Sequence, residues 1–247
     1  MKYDKSRYIE LSQSIIRQDF IGGFCFIEKK VGINYTNHMH LHPSTSSILK
    51  SFDAISSLAN VYRHNGMTFD PQRKENVAEH SYALAALGCA LAQEFNESLE
   101  VALDLGKVSQ FAVVHDLTEA FMKHGDISVY ASTDLLSGKK ADEELALKEI
   151  EEQTKALPWI AETIKEYEAQ DSSEARYVYA LDKIVVHMVV ILNDQHHAKP
   201  TFERYLESEV VARRKIEKSF PQLMPYFDEL CQMFKDKPHL FSDSASE

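Results

Sequence analysis

Two histidines and two aspartates interrupt stretches of this sequence that otherwise read as the buried faces of helices. His80 lies in Asn76-Val-Ala-Glu-His-Ser81, just ahead of Tyr82-Ala-Leu-Ala-Ala-Leu87. His115-Asp116 closes the run Phe111-Ala-Val-Val114, and Asp182 falls within Tyr177-Val-Tyr-Ala-Leu-Asp-Lys-Ile-Val-Val186. A carboxylate among apolar neighbours costs roughly several kcal/mol unless a partner compensates. Taken singly, each has an ordinary explanation: a satisfied core histidine, or an aspartate that caps or pairs. Together, two imidazoles and two carboxylates have a simpler common partner, a divalent metal ion. The chain must then fold so that three helices aim ligands at one point in a bundle core.

The rest of the sequence agrees with a helical body. With only 8 Gly and 7 Pro in 247 residues and 44% hydrophobic residues, it can bury a substantial core. No β-α-β alternation is present, so the expected class is all-α. Helices are expected over 46–64, 76–96, 98–123, 139–156, 158–170, 173–195, 200–218 and 221–235, with ends good to about two to four residues. Asn65-Gly66, Asp70-Pro71, Gly125-Asp126 and Ser137-Gly138 mark the breaks. Residues 1–45 read as a short irregular appendage, 46–240 as the helical domain and 241–247 as a flexible tail. Within the appendage, Gly22-Gly23 breaks a short amphipathic helix, Phe24-Cys25-Phe26-Ile27 favours strand, and His38, His40 and His42 alternate. Without an accompanying carboxylate or cysteine, these three histidines read as structural rather than as a second metal site.

On the helix of His80, Leu84, Leu87 and Leu91 continue its face at offsets of 4, 7 and 11. Val108, Phe111, Ala112, His115 and Glu119 share a face of the next helix, with Asp116 one step round. Val178, Leu181, Val185, Val186 and Val189 surround Asp182. This order, His then His-Asp then Asp, resembles the HD-domain metal-dependent phosphohydrolases. More narrowly, Glu75-Asn-Val-Ala-Glu-His-Ser81, Val114-His-Asp-Leu-Thr-Glu-Ala120 and Gly125-Asp-Ile127 are similar to motifs of the bacterial 5′-deoxynucleotidases and their eukaryotic HD-containing relatives. The resemblance runs from about Ser51 to Leu192.

The resemblance implies an HD-domain helical bundle. It also implies one divalent ion held by His80, His115, Asp116 and Asp182. Mn, Co, Fe, Ni, Zn and Mg are not distinguished by such a ligand set, although two imidazoles argue against a pure Mg²⁺ site. It further implies release of phosphate from (deoxy)nucleoside 5′-monophosphates by attack of metal-activated water. Glu119 and Asp126 are the expected proton-handling residues, and Arg63 the expected phosphate clamp, through its planar fork of donors. Substrate contacts are expected from Arg63, His64, His80, Asp126, Ile127, Ser128, Val129 and Lys183. Relatives carry Trp after the arginine to contact the sugar; this chain has His64 at that place, so the resemblance does not carry their sugar selectivity over. Alternative readings are hydrolysis of another phosphoester, such as a triphosphate or cyclic nucleotide, or nucleotide sensing without turnover.

A net charge of −11 with no basic cluster excludes an ordinary duplex nucleic-acid binder. The expected partner is a small nucleotide. Cys25, Cys89 and Cys231 are odd in number and widely spaced, which fits a reducing cytoplasm. No run is long and apolar enough to read as a signal peptide or membrane span. Leu223, Met224, Tyr226, Phe227, Leu230, Met233 and Phe234 form an apolar stripe near the end of the chain, expected to pack in the core, with a homodimer face as the alternative.

Overall fold

The computed structural model describes residues 42–67, 73–195 and 198–242. All belong to the second of two compact units, 1–41 and 42–247. The expectations for residues 1–41, including His38 and His40, therefore lie outside the described residues; His42 is exposed. Eight α-helices account for most of the described chain: α1 (Thr45–Ser56), α2 (Val77–Phe95), α3 (Leu105–Val114), α4 (Thr133–Gln153), α5 (Trp159–Ala169), α6 (Ser173–Asn193), α7 (Phe202–Ser219) and α8 (Met224–Lys235). The expected all-α class is what the structure shows, with one addition. A small antiparallel hairpin joins β1 (Tyr62–Met67) to β2 (Lys74–Asn76), pairing Tyr62 with Asn76 and Met67 with Lys74.

Helix α6 forms the centre, packing on α2, α3, α5, α7, α8 and β1. Its Tyr177, Val178, Leu181, Ile184 and Val185 join Leu84 of α2, Phe111 of α3 and Phe227 of α8 in the main core. Three helices meet closely at Gly88. A Cβ there would meet Val108 Cγ1 at 3.3 Å and Leu181 Cδ2 at 3.4 Å. The Tyr177 hydroxyl donates to the Gly88 carbonyl at 2.9 Å. This contact locks together the three helices that carry His80, His115 and Asp182.

Local chemistry explains where element ends differ from expectation. The first helix stops at Ser56, because the Ser56 and Ser57 hydroxyls donate to the Phe52 and Ala54 carbonyls and satisfy the last turn. A 3-10 turn follows, then β1, so Arg63 and His64 stand on a strand rather than a helix. The expected helix 98–123 is shorter at both ends. The Asn96 amide holds both the N–H and the carbonyl of Leu103, and the Asp104 carboxylate caps Gly106 and Lys107 instead. Helix α4 starts earlier than expected, at Thr133, and runs through Gly138, which faces open space. At the other end of the chain, Ser242 donates its N–H to Pro200 and bridges Thr201, so the expected tail is pinned at least that far. Among the described residues no helix is long and apolar enough to cross a membrane.

Candidate metal centre

His80 is positioned by the start of α2. Asn76 accepts from the Glu79 N–H, and Glu79 in turn accepts from the Asn76 N–H, a reciprocal cap that fixes the first turn. His115 and Asp116 sit where α3 breaks. Asp116 leaves helical geometry at φ −107° and ψ 13°, and a 3-10 turn over Leu117–Ala120 carries Glu119. On an unbroken helix two adjacent side chains diverge; the break is what turns both inward. The expected continuous helix through Glu119 is therefore corrected at the residues where it matters most. Asp182 lies mid-way along α6.

One ligand atom from each of His80, His115, Asp116 and Asp182 falls within 4.8 Å of the others. His80 Nε2 is 2.9 Å from Asp182 Oδ1, and His115 Nε2 is 3.8 Å from the same oxygen. His115 Nδ1 donates to the Ala112 carbonyl at 2.9 Å, which leaves the Nε2 lone pair facing the cluster. That Nε2 approaches Asp116 Oδ2 to 2.9 Å but without hydrogen-bond geometry, so it is buried and unpaired among the described residues. The residues present fit a divalent ion: two imidazole nitrogens and two carboxylates face one point, and one nitrogen there makes no hydrogen bond among the described residues.

Electrostatics prepare the ligands. Burial, followed by nearby Arg63, pushes His80 down to about 4, so its imidazole is neutral at physiological pH. Burial would raise both aspartates. His115 and Arg63 nevertheless hold Asp116 below the usual carboxylate range, and Lys183 and His80 do the same for Asp182. Burial disfavours charge on His115, but Asp116 and Asp182 outweigh it and raise its affinity for a proton.

Arg63 is buried, with Nη1 3.0 Å from Asp116 Oδ2 and Nε 3.8 Å from Glu75 Oε2. Lys183 Nζ is 2.6 Å from Asp182 Oδ2 and lies over the Tyr179 ring. Glu119 is buried and Oε2 has no hydrogen-bond partner among the described residues. Burial first, then Asp116 and Asp126, raise Glu119 well above the usual carboxylate range. Asp126 Oδ2 accepts the His64 backbone N–H at 2.8 Å. It lines an open cleft of about 800 Å³ together with His64, Ile127 and Ser128. Val129 is exposed and is not among the lining residues.

Two residues without a role assigned from sequence join the site. Glu75 Oε2 lies 3.8 Å from His80 Nδ1 and is pushed up to about 7 by burial, partly offset by Arg63. Its signal was its place five residues before His80 in the same motif. Tyr167 of α5 sets its ring edge against His115 with centroids 6.1 Å apart. Nothing in the local sequence marks it. His187 packs among Tyr205, Phe227 and Phe234, away from the cluster.

An HD-domain family model matches residues 55–224, well over half of the chain. The chain belongs to the HD-domain family. It is 30% identical over 142 residues to the human 5′-deoxynucleotidase HDDC2, covering 56% of this chain and 63% of that protein. The match thus spans less than two thirds of the length of that relative. A protein of Magnetospirillum magnetotacticum MS-1 called a predicted metal-dependent phosphohydrolase shares the fold with a TM-score of 0.62 at 21% identity, over 80% of this chain and 95% of its own. The PH0347 protein of Pyrococcus horikoshii OT3 does so with a TM-score of 0.55 at 21% identity, over 75% and 99%.

Proposed function

We propose that this protein is a metal-dependent phosphohydrolase that releases phosphate from (deoxy)nucleoside 5′-monophosphates. The observation that carries the reading is the four-residue ligand cluster with its unpaired His115 Nε2, set against the buried guanidinium of Arg63. The similarity to HDDC2 favours a nucleoside monophosphate within that class. A divalent ion bound by His80, His115, Asp116 and Asp182 supplies Lewis acidity toward phosphate oxygen and lowers the pKa of water.

The chain's own residues provide the rest. Arg63, already positioned by Asp116, has donors suited to a phosphate oxygen and offsets the charge of the phosphoryl group. Lys183 adds a second cation beside Asp182. Burial raises the proton affinity of Glu119, which suits its Oε2 to give a proton to the leaving alkoxide or relay one from water. Asp126, fixed by the His64 N–H, orients the sugar side of the substrate. The hydrolysis balances simply: the phosphorus–O5′ bond breaks, water gives its hydroxyl to phosphorus, and its proton ends on O5′.

Phosphate release measured over a panel of nucleoside mono-, tri- and cyclic phosphates, with each divalent metal added, tests the reading. Orthophosphate from 5′-monophosphates is expected. Release of pyrophosphate or triphosphate, or cleavage of cyclic substrates alone, would move the protein to another phosphoester. Nucleotide binding with no turnover under any metal would make it a sensor.

A further inference from the structure

The cleft beside the metal centre has a chemistry that a nucleoside with a single phosphate does not use. Among the described residues its wall carries Lys74, Lys199 and Arg204, with Asp126 as the one carboxylate. That is a local cationic excess on a chain whose net charge is −11. An acidic protein that concentrates cations in a concave site creates a field that captures anions.

These cations come from three separate parts of the chain. Lys74 opens β2. Arg204 is in the first turn of α7, and its Nη2 donates to the Tyr130 carbonyl at 3.1 Å. Lys199 sits at φ +36°, in the left-handed region that disfavours a side chain. A non-glycine residue kept there at a cleft wall is the kind of strain that persists when the surroundings enforce it. The surroundings here are the Ser242 N–H bonded to the Pro200 carbonyl and the bridge between Thr201 and Ser242.

The cleft adjoins the elements of the metal centre through two of its residues. His64 and Asp126 line it, and the His64 backbone is bonded to Asp126. The preceding residue, Arg63, is on Asp116. The charge of Asp126 is felt by both Arg63 and Glu119. Asp126, whose carboxylate lines the cleft and whose charge reaches Arg63 and Glu119, is the residue where a substrate held at Arg63 would meet the cationic wall. We propose that the cleft formed by Lys74, Lys199 and Arg204 is a subsite for a second phosphate, so that the preferred substrate is a nucleotide phosphorylated at both ends. This rests on the phosphohydrolase reading for the scissile end only.

The experiment compares kcat/KM of the metal-loaded protein for a nucleoside 5′-monophosphate and the matching 3′,5′-bisphosphate. It is paired with calorimetric binding of the bisphosphate to the metal-free protein. The variants are Lys199→Asn, which tolerates the left-handed backbone, Arg204→Gln, which keeps a donor for Tyr130, and Lys74→Gln at the strand edge. Thermal unfolding confirms that each is folded, and any one of the three suffices for the test.

The bisphosphate is expected to be favoured by about 10-fold or more, the scale of one or two charge-assisted contacts. The ratio should fall toward unity in the variants, with a matching loss of salt-sensitive binding to the metal-free protein. Equal kcat/KM for the two substrates, or a preference unchanged in all three folded variants, overturns the subsite. If no nucleotide is hydrolysed but the bisphosphate still binds and the variants lose it, the subsite stands and the hydrolase reading fails. If 5′-monophosphates turn over and the second phosphate adds nothing, the reverse holds.

Discussion

The four candidate ligands stand on, or just past the end of, helices that pack together in the main core, and the two aspartates each have a named cation or hydrogen-bond partner within the site. The cleft beside them is walled instead by a hairpin edge, the chain around 124–131 and the segment 198–201, and its cations face open space. The metal centre is thus fixed by packing and by mutual compensation, so that removing one member leaves another charge buried and alone. The cleft residues can be exchanged one at a time at small cost to the fold, which suits a surface that sets substrate choice. On the proposed reading, chemistry is placed where it is expensive to alter, and selectivity where it is cheap.

That contrast can be broken most directly at the ligands. His80→Ala is expected to lower phosphate release by at least ~1,000-fold, about 4 kcal/mol of barrier. A loss under ~10-fold, read in the same assay, would mean that the helices hold no catalytic ion. Arg63→Ala should follow with a fall in kcat/KM of about 100-fold, and Arg63→Lys should recover only part of it, because an ammonium lacks the planar fork. Full recovery with Lys would show that charge alone matters.

Two glycines sharpen the same contrast in stability. Gly88→Val must push into Val108 and Leu181 and should cost about 1–3 kcal/mol in urea unfolding. Gly138→Ala, on an exposed helix with nothing within 4 Å, should instead stabilise by up to about 1 kcal/mol. Equal responses would contradict the packing described at the helix crossing.

Glu75 gives the pH dependence. In the fold it keeps its proton up to about 7, whereas the unfolded chain releases it near 4.5. Folding therefore takes up a proton between these values, and the metal-free protein loses stability as pH rises through that window. Glu75→Gln removes the loss. It should raise the melting temperature of chelator-treated protein at about pH 8 more than at about pH 5, by an amount on the order of 1–3 kcal/mol. The opposite ordering would mean that Arg63, rather than burial, governs Glu75.

The sequence was most readable where chemistry rides on regular helices. A helical body with polar residues that need a common partner follows from apolar periodicity, while the identity of the bundle and the ligand set of His80, His115, Asp116 and Asp182 come from the family resemblance of the motifs around them. The break after His115 did not show in that pattern, because Leu117 and Ala120 continue a helical spacing while the Asp116 backbone leaves the helix. The hairpin that carries Arg63 was hidden for a related reason. Val61 and Tyr62 extend an apolar run from α1, and only pairing with Lys74–Asn76 distinguishes strand from helix there. Lys199 and Arg204 had no local signal at all, since their meaning comes from a wall that folding assembles from distant segments.

The central claim is that one divalent ion, held by all four helix-borne ligands, is the catalytic centre. Metal content per chain by elemental analysis, measured on the same samples as nucleotide phosphate release, tests it for the intact protein and for Asp182→Ala. One ion per chain in the intact protein is predicted, with both metal and turnover lost together in the variant. Turnover retained by Asp182→Ala at unchanged metal content would contradict the account.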